Sequence, residues 1–240
     1  MDTINIKRYG QTHKNFPEPL LTETGNRYFL DEAGTALLDI FFSRVADTAD
    51  FDELWNLHPE EKGKIKIADK EIDVPRYQQS YGKEYWFSGM THESLPIPDI
   101  LLPFLEEANN SQYGKLYGAT GFNEILVNWY ADGNHYIRAH SDDESEMVTS
   151  INGENVVYSL TLQEAPGNRI FRLKPKLPPK STVSVDERKS IGKERIDLEL
   201  QHKIVAVMAG TCQKKFKHQV PKTKKTVGRR INITFRCFRE

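Results

Sequence analysis

From Ile125 onward the chain is a series of short runs in which apolar and polar residues alternate, with turn residues between them. Alternation at period two marks strands with one buried face. The pattern predicts strands near residues 125–130, 135–140, 156–162, 168–173, 195–200, 203–209, 216–220 and 229–238. Many short strands in series predict an antiparallel barrel or a double-sheet jelly roll, a mainly β (α+β) chain. No internal repeat interrupts the series. Pro175–Gly192 (PKLPPKSTVSVDERKSIG) is polar and proline-bearing and predicts a loop inserted between two strands.

The first half reads differently. Residues 1–36 are polar and turn-rich, with Pro17, Pro19, Gly25 and Gly34, and predict an N-terminal extension that wraps the core or is partly disordered. Leu37–Val45 (LLDIFFSRV) predicts a strand. A short helix follows, with Phe51, Leu54 and Trp55 on one face and Asp47 or Thr48 as its cap. Ile65, Ile67, Ile72 and Val74 predict a hairpin turning at Ala68-Asp69-Lys70. Ile100–Asn109 predicts a helix with Leu101, Phe104 and Leu105 inward, starting in effect at Pro103. The whole, 1–240, is expected as a single domain, with flanking elements over 37–124 and the barrel core over 125–240.

Composition narrows the class. The formal net charge is -1 over 240 residues, so the protein is not basic all over. Two clusters are basic nonetheless. One holds Lys214, Lys215, Lys217, Lys222, Lys224, Lys225, Arg229 and Arg230, and the other Arg169, Arg172, Lys174, Lys176 and Lys180. Such stripes either meet a phosphate backbone or are solvated loops at barrel edges. Cys212 and Cys237 are too few for a disulfide framework. No apolar run approaches a membrane span, and the first residues lack a secretory pattern. An intracellular protein, nuclear or cytoplasmic, with reduced thiols and no membrane partner is expected, acting as a monomer.

The candidate chemistry begins at His140-x-Asp142. On an extended strand, residues two apart point the same way, so an imidazole and a carboxylate share one side. One more histidine would complete a two-histidine, one-carboxylate iron site with open positions. Alone, His-x-Asp also reads as a surface turn. His13 and His58 read as surface histidines, His202 as an exposed turn, and His135 as too close to the strand start; His92 has little local support. His218, between an apolar strand and a polar one, is the best third ligand. In Arg230–Arg236 (RINITFR), Arg230, Asn232, Thr234 and Arg236 share one face and Ile231, Ile233 and Phe235 the other. Parity leaves open which face is interior. If the polar face is, the buried guanidinium groups need anions, and a dicarboxylate such as 2-oxoglutarate would provide them.

Four motifs in order carry a resemblance: Asn128-x-Tyr130-x-x-Gly133, His140-x-Asp142-Asp143-Glu144, His218-x-Val220-Pro221-Lys222 and Arg230-x-Asn232-x-Thr234-x-Arg236. Together they resemble the AlkB-like Fe(II)/2-oxoglutarate-dependent dioxygenases, over roughly Pro75–Phe238. Segments Pro75–Gly82 and Tyr85–Gly89 resemble the nucleotide-recognition part of members that repair alkylated bases. The resemblance implies a double-stranded β-helix with flanking N-terminal helices. It implies Fe(II) on His140, Asp142 and His218, with O2 and 2-oxoglutarate as cosubstrates. Asn128, Tyr130, Arg230, Asn232 and Arg236 would hold 2-oxoglutarate, Arg230 at its distal carboxylate and Arg236 nearer the metal-side carboxylate. Tyr85 and Phe87 would stack on a flipped base, with Asp143, Glu144 and Arg76 also on the substrate. The implied reaction is oxidative demethylation of alkylated DNA or RNA, with 1-methyladenine and 3-methylcytosine as expected lesions.

The chain departs from the family pattern at His135, where an acidic residue is common, and at Arg138, where a small one is. The Pro175–Gly192 insertion is also outside it. Two rival readings stand beside the first. One is the same chemistry on a protein or RNA-mark substrate; the other is a non-catalytic barrel that binds nucleic acid.

Overall fold

Both faces of Arg230–Arg236 are buried, and this sets the layers. Ile231, Ile233 and Phe235 are 0% exposed, while Arg230 and Arg236 on the opposite face are 1% and 2% exposed. The strand therefore belongs to a middle sheet, with helices on its apolar side and a second sheet over its polar side. The computed structural model describes residues 4–10, 17–22, 25–67, 70–87, 90–92 and 94–239, with backbone alone for 65–67, 70, 85–87 and 90–92.

In chain order the early strands are β1 (Ile6–Tyr9), β2 (Leu20–Leu21), β3 (Asn26–Phe29), β4 (Ala36–Phe42), β5 (Lys64–Ile67) and β6 (Lys70–Asp73). Next come β7 (Tyr77–Gly82), β8 (Tyr85–Phe87), β9 (Met90–His92) and β10 (Ser94–Leu95). The later strands are β11 (Glu124–Tyr130), β12 (Ile137–His140), β13 (Val157–Gln163) and β14 (Arg169–Pro175). Last are β15 (Arg195–Leu200), β16 (Ile204–Gly210), β17 (Phe216–Val220) and β18 (Arg230–Arg236). The helices are α1 (Phe51–Trp55), α2 (Leu102–Asn110), α3 (Val185–Lys193) and α4 (Cys212–Lys215).

The major sheet runs β10-β7-β11-β18-β13-β16-β4-β3-β2 and the minor sheet β1-β15-β14-β17-β12. This is a double-stranded β-helix, a jelly roll of the mainly β, α+β class. One apolar cluster joins the outer face of the major sheet to the helices through Leu54, Leu101, Phe104 and Ala108. A second lies between the sheets and includes Tyr130, Phe171, Leu173, Ile196 and Leu198. Burying a large apolar side chain contributes about 1.5–3 kcal/mol, so these two cores fix the sheet pair before any polar contact is counted.

The eight alternating segments from 125 onward all form strands. Other details differ from the pattern. The cap of α1 is Asp50, whose carboxylate accepts from the Asp52 and Glu53 amides, not Asp47 or Thr48. A 3-10 turn at Asp99–Leu101 precedes α2, and Pro103 lies in its first turn, where no N–H is missed. The expected loop at 175–192 contains α3, capped by Ser184, whose hydroxyl accepts from the Glu187 amide. Part of the expected N-terminal extension enters the sheets, with β1 on β15 and β3 on β4. In the 64–77 hairpin, β6 begins at Lys70, and Ala68 and Asp69 lie outside the described residues. His58, expected at the surface, is half-buried and stacks on Tyr77 with ring centroids 4.6 Å apart.

Candidate metal and cosubstrate site

His140 and His218 face each other across the β12–β17 pair, in register. Their ring centroids are 4.1 Å apart. Asp142, two residues beyond His140, lies against both: His140 Nε2 is 3.6 Å from Oδ1 and His218 Nε2 is 3.5 Å from Oδ2. One ligand atom from each residue lies within 4.8 Å of the others. The local chain is pinned on both sides. Ser141 Oγ donates to the Phe216 carbonyl at 2.9 Å, and the Asp142 amide donates to Gln213 Oε1 at 3.0 Å. The Arg138 carbonyl lies 2.8 Å from His140 Nδ1, so that nitrogen carries the proton and Nε2 keeps its lone pair for the cluster.

The electrostatics suit a cation. Burial pushes the His218 imidazole down to about 3, with the His140 ring adding to the effect. Burial likewise lowers His140. Asp142 is raised by burial but pulled down further by His218, His140 and Arg236, ending below the usual carboxylate range. Two neutral imidazoles and a carboxylate thus converge with no proton between them. That donor set, with an open side, fits a divalent transition metal of the Fe(II) type.

Behind the cluster, a cavity between the sheets is lined by Asn128, Tyr130, Phe171, Arg230 and Asn232 as well as the three ligands. Asn128, Asn232 and Thr161 stand in register on β11, β18 and β13. Asn232 Nδ2 donates to Ser159 Oγ at 2.8 Å and to the Leu160 carbonyl at 3.0 Å. Arg230 donates from Nη2 to Thr161 Oγ1 at 2.9 Å, and its guanidinium lies 4.8 Å from the Tyr130 ring centre. Its Nε and Nη1 are buried with no hydrogen-bond partner. Burial lowers this guanidinium to about 10. A buried cation with two idle donors is costly unless an anion meets it, so this wall fits a carboxylate-bearing cosubstrate.

Arg236 is engaged otherwise. Its Nε and Nη2 donate to Glu124 at 3.0 and 3.1 Å and Nη1 donates to Glu144 at 2.8 Å, with Asp142 3.9 Å away. Glu144 is thereby tied to the network, yet its Oε2 is buried and unpartnered. Burial raises Glu144 to about 7, against the pull of Arg236. Asp143 is exposed and paired with Lys176 Nζ at 3.0 Å. Arg76 donates to Asn128 Oδ1 at 2.6 Å and to Gln78 Oε1 at 2.9 Å, which puts it on the cosubstrate wall. Tyr85 and Phe87 lie on β8, paired with β9, and their side chains are outside the described ones.

Of the basic clusters, much is already paired. Arg229 meets Glu164 and Asp52, Lys215 meets Asp31, Arg172 meets Asp197, and Arg169 is buried. Lys214, Lys217, Lys222, Lys224 and Lys225 are exposed. Of the site's supports, Glu124, Gln213 and Ser141 were not anticipated. Glu124 carried a usable signal: it shares parity with Asn128 and Tyr130. A larger groove of about 540 Å3, beside α3 and Phe216, contains none of the ligand residues.

Residues 57–236 match the sequence pattern of the 2OG-Fe(II) oxygenase superfamily. The chain is 31% identical over 178 residues to a Mus musculus protein named DNA oxidative demethylase ALKBH2, covering 72% of this chain and 66% of that one. Its Bos taurus counterpart is 30% identical over 176 residues, covering 72% and 56%. Alpha-ketoglutarate-dependent dioxygenase alkB homolog 3 of Rattus norvegicus is 31% identical over 167 residues, covering 68% and 50%. The chain thus spans about half to two thirds of the length of these relatives.

Proposed function

We propose, since this chain belongs to the 2OG-Fe(II) oxygenase superfamily, that it oxidatively demethylates alkylated nucleobases in DNA or RNA. His140, Asp142 and His218 would hold Fe(II). Arg230, with Asn128, Tyr130 and Asn232, would hold 2-oxoglutarate. Bound together with O2, iron and 2-oxoglutarate supply oxidation of an N-methyl group, which leaves as formaldehyde while 2-oxoglutarate becomes succinate and CO2. The carrying observation is the pairing of a three-ligand cluster with the idle Nε and Nη1 of Arg230 on the same cavity.

The chain's own part is orientation and charge. Arg230 fixes the far carboxylate, Arg76 holds the Asn128 amide in one orientation, and Arg236 holds Glu144 beside the metal ligands. Glu144 Oε2 is left to accept from a substrate N–H, such as the exocyclic amine of a base. A base inside a duplex must first leave the stack, at a cost of a few kcal/mol that alkylation reduces. DNA is favoured by the Mus musculus and Bos taurus relatives, which are named DNA oxidative demethylases. The expected lesions are 1-methyladenine and 3-methylcytosine.

Mass spectrometry of a mixed panel of methylated oligonucleotides, incubated with the protein, Fe(II) and 2-oxoglutarate, tests this. Unmodified base with matching succinate is expected. Turnover of a methylated peptide but of no oligonucleotide would move the substrate to protein. Absence of succinate under every condition would sink the enzyme reading.

A further inference from the structure

Arg169 opens β14 and is 1% exposed, although its neighbours in sequence belong to a basic surface cluster. Its Nη1 donates to the Asp132 carbonyl at 2.9 Å. Its Nη2 donates to the carbonyls of His135 and Pro221, both at 2.8 Å. Asp132 and His135 lie in the loop from β11 to β12, and Pro221 starts the loop that leaves β17. Tyr130 precedes the first loop, Ile137 follows it and Val220 precedes the second, and all three line the cavity. Gly133 and Thr223 close the same junction. The Thr223 amide donates to the Gly133 carbonyl at 2.9 Å, and a Cβ at position 133 would stand 2.4 Å from the Thr223 carbonyl oxygen. Arg169 is therefore the strut that ties together the two loops flanking the cavity residues Tyr130, Ile137 and Val220.

Its charge is a separate matter. Neutral carbonyls satisfy N–H groups but do not cancel a buried cation. Arg169 Nε has no hydrogen-bond partner, and neither do Nε and Nη1 of Arg230. Among the described residues, no carboxylate forms a salt bridge with either guanidinium. Both lie by one ring: Arg169 Cζ is 5.6 Å and Arg230 Cζ 4.8 Å from the Tyr130 centroid. Asp132 offsets the Arg169 charge only in part, burial lowering that guanidinium all the same, and Arg169 in turn opposes the charge of Arg230. An anion held by Arg230 would lower the energy of both.

We infer that Arg169 is a positioning and specificity-determining residue for the distal carboxylate of the cosubstrate. It acts through Tyr130 and Arg230, and it makes the pocket select a ligand whose far end carries a full negative charge. The inference rests on the reading of the cavity as a 2-oxoglutarate site.

Calorimetric titration of the Mn(II)-loaded protein, which is redox-silent, tests it with two probes. 2-Oxoglutarate has both ends; 2-oxopentanoate keeps the chelating end and lacks the distal carboxylate. Arg169→Met should weaken 2-oxoglutarate about tenfold and leave 2-oxopentanoate within about twofold. Arg169→Lys, which keeps the charge, should discriminate between the probes better than Arg169→Gln, which keeps a neutral donor. Should the methionine variant not fold, that lysine–glutamine comparison decides alone. Unchanged 2-oxoglutarate affinity in Arg169→Met overturns the inference. So does equal weakening of both probes, or equal discrimination by the lysine and glutamine variants. Failure of the wild-type protein to bind 2-oxoglutarate overturns the underlying site reading instead.

Discussion

Replacing Glu124 with Gln removes one charge from a buried network and leaves its shape almost intact. Glu124 is 0% exposed and Arg236 2%. Arg236 meets both Glu124 oxygens, at 3.0 and 3.1 Å, and Ser80 Oγ donates to Oε1 at 2.7 Å. Burial pushes the Glu124 carboxyl above its ordinary range against the pull of Arg236. The two-point contact with a guanidinium, which has no acceptor to offer a protonated acid, keeps the carboxylate ionised at neutral pH. Glutamine would turn an NH2 group toward a guanidinium N–H, so two donors would face each other. Arg236 would then rely on Glu144, with Asp142 at 3.9 Å. Breaking a buried pair costs roughly 3–5 kcal/mol. With Glu144 still sharing the charge, about 2–4 kcal/mol is expected for Glu124→Gln. At roughly 2–4 °C per kcal/mol for a domain of this size, Tm should fall by about 5–15 °C. Thermal unfolding of the metal-free protein, followed by circular dichroism at pH 7.5, measures it. The double variant Glu124→Gln/Arg236→Met should recover more than half of that loss. It removes both charges, and Glu144, raised to about 7, can take up a proton in place of its lost partner. A fall below about 2 °C for the single variant, or additive losses in the double, refutes the reasoning.

His140→Ala should abolish turnover of 2-oxoglutarate to succinate and the binding of Mn(II) by calorimetry; full activity in that variant would sink the iron assignment. The lowered ionisations predict how metal binding depends on pH. His218 is lowered to about 3, and His140 and Asp142 are lowered from their ordinary values, so from pH 7 to 8 protons do not compete for these ligands. Mn(II) affinity should change by less than about threefold across that range, and a slope near one decade per pH unit contradicts it. The same depression sets the sign for the metal-free fold. The unfolded histidine binds a proton below about 6.5, the folded one only near 3, so stability present above pH 6.5 is lost as pH falls between them.

Most strands of the second half were legible because at least one face lies in an apolar core, and burial imposes a period on the sequence; β12 is the exception, with none of its residues buried. Where burial does not act, nothing was there to read. Helix α3 buries none of its residues, so it has no apolar stripe, and only Ser184 with Glu187 marked its start. Arg169 was unreadable for the opposite reason: its charge placed it with surface lysines, while its partners are carbonyls of two distant loops. The parity of Arg230–Arg236 stayed ambiguous because that strand is in a middle layer and buries both faces.

Glu124, one of the support residues that escaped notice, did so for a cause that strand pairing removes. Glu124 and Arg236 are 112 positions apart, a separation at which sequence spacing has no force. Antiparallel pairing restores it. In the β11–β18 register, Asn128 faces Asn232 and Glu124 faces Arg236, so partners sum to 360 in both cases. Placing the two asparagines side by side in one pocket therefore places the carboxylate against the guanidinium four residues away, with no further freedom. The β12–β17 pair also sets His140 opposite His218, but its register shifts between that contact and Ile137–Val220, so spacing does not carry across it. In an unbroken ladder such as β11–β18, one correct cross-strand contact converts a list of polar residues into their partners, and the buried Glu124–Arg236 pair beside the metal ligands follows from the motif residues already recognised.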